Sequence, residues 1–557
     1  MTAAQRLWAI VAGSPVSWAL LAVLGVQLAD LAFGSKAVPF TSDSADYIEQ
    51  ARALAQGAAP TRTAWGLEGP LVGPSTSFPV GYPLLIAPLV ALGVPAADAA
   101  LAVSRGSMLL VPVIVAWAFA GLLGPWAAAA AVALIGLMPG LLGSGELAMS
   151  DAPALALSLA GIGLLLRPPT PARWLWSGVM IAGAYAVRNA QLSLLLVVGL
   201  FAALLAVRSA QTHRRVAVAW FVGAALVVVP LLLRNLWVFG RLQPYDMPPS
   251  TVGLVFNVRV FAAAALQDLF GYVELAHAIA WTPWGFVLLS LGLAVGGGYG
   301  LRFALADSDV SARRAVVLLG IAAAFGAFVV IAARTRYQWG GHISVRNTFP
   351  VVALAVLALL VLFRQRFDGP RRWRALGPAV LVAGLVTHSH AAVRDWTAGS
   401  PRDALELHAR ASTSKAFCSR AAQPGEVFIS NWAFLARIDC AQPVRHLELV
   451  NAASDAGARD QSSKQWHDQT LAERLDALPS MLPGQALRVA VVPGTLGVTD
   501  ADLPLQADVV DRLQQQGWRI EAHDPTGLVM ARAAAPVAAG LQAWPAFGQD
   551  TRQAPGR

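Results

Sequence analysis

Apolar residues fall into runs of membrane-spanning length through the first two-thirds of the 557-residue chain. About 20 apolar residues cross a bilayer core. Runs of that kind lie near 15–33, 104–122, 126–143, 152–166, 174–187, 191–207, 216–238, 284–301, 315–333, 347–363 and 375–391, which predicts about 11 transmembrane helices. Gly81–Val94 is also apolar, but it is short and holds Pro83 and Pro88. It predicts a juxtamembrane or re-entrant helix rather than a span. Beyond residue 391 the pattern changes. Glu426–Ser430 and Leu487–Pro493 read as strands, Leu471–Leu478 and Ala507–Gln516 have helical spacing, and Gly517–Ala522 with Gly527–Arg532 reads as a closing hairpin. The expected architecture is an all-α polytopic membrane domain over 1–391 with a long first outer loop at 35–103. A small α/β extracytoplasmic domain over 392–535 follows, and an Ala/Pro/Gly/Gln-rich, disordered tail over 536–557.

Composition agrees with this reading. Hydrophobic residues make up 56% of the chain and charged residues 13%, about half the charged share of a soluble protein. Charge also fixes an expected orientation. The loops 167–173, 208–215, 302–314 and 364–374, with Arg6, carry a net charge of +11, whereas the opposite face is neutral. Short cytoplasmic loops collect Arg and Lys, and Arg364, Arg366, Arg371, Arg372 and Arg374 form the densest cluster. The N-terminus is therefore expected in the cytoplasm and the C-terminal domain in the periplasm of a bacterial inner membrane. The first span reads as a retained anchor, because no small-residue cleavage site follows it. The net charge of +9 sits in membrane-flanking loops, so it does not point to nucleic acid. Lys36, Lys415 and Lys464 are the only lysines, which fits a GC-rich bacterial genome.

The two cysteines, Cys418 and Cys440, both lie in the tail domain; they could form a disulfide in an oxidising compartment or remain two buried thiols. The chain has no internal repeat, P-loop, GxGxxG, HExxH or CxxC.

Candidate chemistry concentrates in the outer loops. Asp43 precedes a helical stretch closed by Gly57, which suits a helix cap as well as a functional carboxylate. Asp46 and Glu49 follow one turn apart. Glu146 and Asp151 sit in a short outer loop just before a span, where Asp151 could also be a cap. Arg188, Arg234, Arg241, Arg259, Arg334, Arg336 and Arg346 recur on the same face. Any one of them could snorkel as an anchor. The segment Arg334–Arg346 places three guanidiniums with Tyr337 and His342 in 13 residues, on the face where Arg is disfavoured. Guanidinium suits phosphate, so this loop predicts an anionic ligand such as a lipid phosphate. Ionisable side chains stay away from span centres: Asp30, Arg234, His388 and His390 all lie towards outer ends. Ion-coupled transporters keep such groups near the midplane, so chemistry at the outer surface fits better.

Four stretches resemble the GT-C superfamily of integral-membrane glycosyltransferases, in particular the protein-mannosyltransferase and lipid A aminoarabinose transferase group. They are Asp43-Ser44-Ala45-Asp46-Tyr47 with Ala51 and Gly57, Phe78-Pro79-Val80-Gly81-Tyr82-Pro83 leading to Gly93, Met149-Ser150-Asp151-Ala152-Pro153, and Arg234-Asn235 with Phe239-Gly240. The resemblance implies a polyprenyl-phosphate-linked sugar donor, an acceptor glycan, lipid or protein, and inversion at the anomeric carbon. It implies Asp43 as general base and Asp151 as a second catalytic acid residue. Asp46, Tyr47, Tyr82, Arg188, Arg234, Arg334, Arg336, Tyr337, His342 and Arg346 are the substrate-binding candidates. No cofactor or metal is implied, since the first loop lacks an Asp-x-Asp. The family's frequent Asp-Glu pair is Asp43-Ser44 here, and Phe78 stands where the aminoarabinose enzymes have Lys; both argue against aminoarabinose transfer. A polysaccharide ligase or polymerase, a lipid or glycan flippase, and a non-catalytic scaffold or sensor remain the alternatives.

The charge split yields a direct test of orientation. A periplasm-active reporter fused after Arg402 is expected to be active; activity only from a cytoplasmic reporter there would reverse the map.

Overall fold

The computed structural model describes residues 14–398 apart from short stretches, and beyond them parts of 417–447 together with 470–491, 507–524 and 527–534. His342, Cys440, the 536–557 tail and Arg371, Arg372 and Arg374 lie outside the described residues. The chain divides into two compact units: residues 1–62 with 74–404, and residues 63–73 with 405–557.

In the first unit the helices are α1 (Pro15–Phe33), α2 (Ser42–Ala55), α3 (Gly81–Ala91), α4 (Ala96–Leu123), α5 (Pro125–Gly136), α6 (Pro139–Glu146), α7 (Asp151–Leu166) and α8 (Pro171–Val187). After a 3₁₀ turn at Asn189–Gln191 come α9 (Leu192–Arg208), α10 (Gln211–Phe239), α11 (Leu254–Phe270), α12 (Val273–Trp281), α13 (Pro283–Ala306), α14 (Val310–Arg336), α15 (Val345–Phe367) and α16 (Leu376–Ala398). Every run expected to span is helical. Among the described residues, six helices can cross a membrane by length and composition, or eight if the bent pairs α5–α6 (50°) and α12–α13 (92°) each count as one span. The chain is a multi-pass membrane protein. Helices α7 and α8, of 16 and 17 residues, fall short of the usual span length, and most of α7 is buried inside the bundle. Helix α3 has 11 residues, about 16 Å of rise against a hydrocarbon core of about 30 Å. It is too short to span.

Alanine builds the centre of this bundle. On α5, Ala127–Ala133 are all fully buried, and α1, α4, α15 and α16 pack around them. Small side chains allow such close approach where lipid offers no hydrophobic drive between helices. Helices α8 and α10 go further: a Cβ on Gly178 would strike the Trp220 carbonyl, and one on Gly223 would strike the Leu175 carbonyl. Outward-facing positions such as Leu200, Leu226, Trp237 and Trp284 are apolar and exposed, a surface suited to lipid.

The second unit holds a five-stranded sheet with helices α17 (Leu471–Met481) and α18 (Ala507–Gln515). Strands β1 (Thr61–Gly66) and β2 (Gly69–Pro74) of the first loop form a small hairpin, while β3 (Glu426–Ser430), β4 (Val444–His446), β5 (Ala486–Val491), β6 (Trp518–Asp524) and β7 (Gly527–Arg532) make the sheet in the order β4-β3-β5-β7-β6. Strands β4, β3 and β5 are parallel, and β7 runs antiparallel to both β5 and β6. These elements match the strands, helices and hairpin read from the sequence. Thr470 and Glu473 form a capping box that starts α17, and Leu471, Leu475 and Leu478 then face the sheet. Leu67, at the tip of the β1–β2 hairpin, is buried in the same core, and Arg445 donates to its carbonyl. The sequence showed no sign of this hairpin, which lies within the expected first loop at 35–103. Cys418 is disulfide-bonded, and Cys440 is the only other cysteine in the chain.

Overpacking costs about 1–3 kcal/mol when a core cannot move aside. Gly178→Val and Gly223→Val are therefore expected to lower the melting temperature of the detergent-solubilised protein, whereas Gly25→Ala, with no atom within 4 Å of its new Cβ, leaves it unchanged. Equal melting of all three would contradict the close packing of α8 on α10.

Candidate active site

The site begins with the cap of α2. Thr41, rather than Asp43, caps the helix: the Ser44 N–H donates to Thr41 Oγ1 (3.4 Å) and the Thr41 N–H donates back to Ser44 Oγ (2.9 Å). Asp43 stands two residues on, in the first turn of the helix. Helix α2 is then pinned to the segment that precedes α7. Ser44 Oγ donates to the Ala148 carbonyl (2.9 Å), the Ala148 N–H donates to the Pro39 carbonyl (3.0 Å), and the Tyr47 hydroxyl lies 3.1 Å from Ser150 Oγ.

An aromatic layer supports this junction. Tyr47 meets Phe78 and Tyr82 edge-on, with ring centroids 5.1 and 4.9 Å apart. Tyr82 donates to the Ala100 carbonyl (2.8 Å) and touches Ser104 Oγ (2.7 Å), which in turn holds the Met149 backbone. Burial pushes the Tyr47 phenol up to about 12, helped by the nearby Asp43 charge, against the Ser150 hydrogen bond and the Arg346 and Arg188 charges. Burial also pushes Tyr82 up. Both stay neutral at working pH and serve as hydrogen-bonding rings.

Asp151 opens α7 with a side chain that is fully buried, and it is not a cap: no side-chain bond closes this helix start. A buried carboxylate costs several kcal/mol unless it is paired. Two guanidiniums meet that demand. Arg188 Nη1, from the extended residue after α8, pairs with Asp151 Oδ1, and Arg346 Nε, from the first turn of α15, lies 3.1 Å from Oδ2. Arg346 Nη2 then reaches Asp43 Oδ2 at 2.8 Å. Arg346 thus bridges carboxylates from the first turns of α2 and α7. Its side chain is 35% exposed and that of Asp43 is 21% exposed, against 0% for Asp151, so a ligand meets the Asp43–Arg346 pair first.

Next to this cluster is a small polar pocket of about 20 Å³, lined by Phe78, Tyr185, Asn189, Arg234, Asn235 and Gln243 among others. Arg234 Nη1 donates to Asn235 Oδ1 (3.2 Å), Asn235 Nδ2 donates to the Leu242 carbonyl (3.0 Å), and the Tyr185 hydroxyl donates to Gln243 Oε1 (3.4 Å). The space holds about one water, so a larger ligand requires these side chains to part.

Asp43, Asp151, Arg188 and Arg346 therefore converge, with Tyr47 and Tyr82 beneath them and Arg234 in the adjoining pocket. Asp46 is buried on α2. The rest of the Arg334–Arg346 segment is placed differently. Arg334 is buried and its Nη1 donates to the Tyr337 carbonyl (3.4 Å), while Arg336 is exposed and lies over the Tyr337 ring. Tyr337 itself bridges to Pro249 in backbone pairing. Asn189, Ser150, Ser104 and Asp268 went unread in the sequence. Asp268 carried a usable signal: it is the one acid in the apolar stretch Leu254–Phe270.

No protein-family model matches the chain, and no curated protein matches it in sequence. Solved structures do match. The apo structure of ArnT from Cupriavidus metallidurans superposes with a TM-score of 0.53 and 14% identity, covering 96% of this chain and 100% of that one. The same protein bound to undecaprenyl phosphate superposes with a TM-score of 0.54 and 11% identity, covering 95% of this chain and 99% of that one. The likeness runs nearly end to end, through both the helical bundle and the C-terminal unit. The likeness is one of fold, and it agrees with the expected helical membrane domain followed by a small α/β domain.

Proposed function

We propose that the protein is a glycosyltransferase that moves a sugar from a polyprenyl-phosphate-linked donor to an acceptor hydroxyl on a glycan, lipid or protein at the periplasmic face of the inner membrane. The observation that carries this reading is the bridge from Asp43 through Arg346 to buried Asp151, set in a fold shared with a protein that has been seen with undecaprenyl phosphate bound.

The chemistry follows from the groups present. The anionic phosphate of the donor competes with Asp43 for Arg346, which offers a fork suited to phosphate. When Arg346 turns to the phosphate, the Asp43 carboxylate is released towards the acceptor. Asp43 then takes the hydroxyl proton as the acceptor oxygen bonds to the anomeric carbon. The bond from that carbon to the phosphate oxygen breaks on the opposite side, with inversion, and the phosphate departs with the electron pair. Arg346, and Arg234 from the adjoining pocket, stabilise the charge that develops there. Asp151 and Arg188 do not meet the substrate in this scheme; they hold Arg346 at the right height. Tyr47 stays protonated and is no rival base.

Three variants separate these roles. Asp43→Asn keeps the side-chain size and leaves the Thr41 cap untouched. It is expected to cost about two to four decades of transfer, read as the modified cell-envelope glycan by mass spectrometry in a deletion strain complemented with each variant, at unchanged protein level. Asp46→Asn, one turn along the same helix, is the milder control. Arg188→Ala leaves a buried carboxylate short of one partner, which costs about 3–5 kcal/mol, so this variant is expected to lose folded protein before it loses specific activity. Near-normal transfer by both Asp43→Asn and Asp46→Asn would remove the basis for the enzyme reading.

A further inference from the structure

The buried carboxylate of Asp268 is bonded to α15, which carries Arg346, and to α6, the helix that leads into Asp151. Asp268 lies near the C-terminal end of α11 and is fully buried. Its Oδ1 accepts from the Gly140 N–H (2.9 Å) in the first turn of α6, and its Oδ2 is 2.6 Å from Thr348 Oγ1 in the first turn of α15. Its carbonyl oxygen lies 3.2 Å from His388 Nε2 on α16. Helix α6 leads directly through Leu147–Ser150 to Asp151, and Thr348 stands two residues after Arg346.

The junction has no slack. A Cβ on Gly140 would come within 2.6 Å of the Val345 carbonyl and 2.8 Å of both Asp268 Oδ1 and Phe349 Cβ. The first turns of α6 and α15 therefore meet backbone to backbone, with Asp268 as the clasp. The Gly140 N–H belongs to a first helical turn, where backbone donors lack intrahelical partners and an acceptor is favoured.

We infer that Asp268 is a positioning residue for the site: by holding the first turns of α6 and α15 together, it sets the reach of Arg346 to Asp151 and Asp43. It acts through Arg346 and touches no substrate itself. The protonation state is consistent with a clasp made of neutral groups. Burial pushes the Asp268 carboxyl up to about 8, against the Thr348 and Gly140 hydrogen bonds. Thr348 Oγ1 donates to Oδ2 of the ionised carboxylate; once the carboxyl is protonated the roles reverse, Oδ2–H donates to Thr348 Oγ1 and the Thr348 proton turns to the Val345 carbonyl 3.3 Å away. Asparagine reproduces that pattern: its oxygen accepts from Gly140 and its amide donates to Thr348.

The inference rests on the proposed role of Arg346 in holding the donor phosphate, and the test keeps the two apart. Binding of undecaprenyl phosphate is measured on the purified full-length protein in nanodiscs, for wild type, Arg346→Ala, Asp268→Ala, Asp268→Asn, Thr348→Val and the Arg346→Ala/Asp268→Ala double variant, each with its melting temperature. Loss of one charge-assisted hydrogen bond weakens binding about 10- to 100-fold, and that is the loss expected for Arg346→Ala. Asp268→Ala is expected to lose a comparable factor, Thr348→Val a smaller one, and Asp268→Asn close to none. The double variant should bind no worse than Arg346→Ala alone, because a residue acting through Arg346 has nothing left to position. Multiplying losses in the double variant, failure of Asp268→Asn to rescue, or wild-type binding by folded Asp268→Ala would each overturn the inference. Equal binding by wild type and Arg346→Ala would instead overturn the phosphate role itself. If Asp268→Ala does not fold, Thr348→Val and Asp268→Asn still decide the matter: a loss on Thr348→Val that vanishes on an Arg346→Ala background supports the clasp, and an unchanged Thr348→Val overturns it.

Discussion

The end of the membrane unit that carries the candidate site depends on one side chain that answers to two carboxylates. Arg346 joins Asp151, 195 residues earlier in the chain, to Asp43, 303 residues earlier. The two bonds differ in kind. The bond to Asp151 helps Arg188 neutralise a carboxylate that water does not reach, so it is costly to give up. The bond to Asp43 is partly open to solvent, where an ion pair contributes less stability and is more easily exchanged. A single guanidinium thus has one fixed partner and one exchangeable partner, and in the proposed reaction the exchangeable one is the carboxylate that takes the proton.

The remainder of the unit explains why this arrangement can be held at a membrane surface. Lipid supplies no hydrophobic drive between helices, so precision comes from backbone approach at small residues and from hydrogen bonds. Alanines along α5 and glycines at 178 and 223 bring helices to contact in the bundle. Nearer the outer face, hydroxyls take over: Ser44, Ser104 and Ser150 tie α2 and α4 to the segment leading into α7. Each short polar side chain there meets a backbone or phenol partner, and this fixes where Asp43 can be.

Legibility in the sequence followed the range of the interactions. The elements of the second unit were readable because their signals are local: short apolar runs in β3 and β5, leucines at helical spacing in α17, and turns at Gly517 and Gly527. The short helix α3 was readable from its prolines and length. The cap of α2 was not, because Thr41, Ser42, Asp43 and Ser44 are all acceptable caps, and the choice is made by Ser44 binding the Ala148 carbonyl far along the chain. Arg346 stood out as an arginine on the wrong face, but its carboxylate partners are set by tertiary packing. The same holds for Leu67, which the fold places in the core of the second unit. Asp268 went unnoticed because a lone acid in an apolar helix gains its meaning from Gly140 and Thr348, on two other helices.

The most direct measurement is the structure of the protein in nanodiscs with undecaprenyl phosphate at saturating concentration. The account predicts the phosphate within hydrogen-bond distance of Arg346, with the Arg346–Asp43 contact opened from 2.8 Å and the Arg346–Asp151 contact kept. A phosphate bound elsewhere with both contacts of Arg346 intact would contradict it.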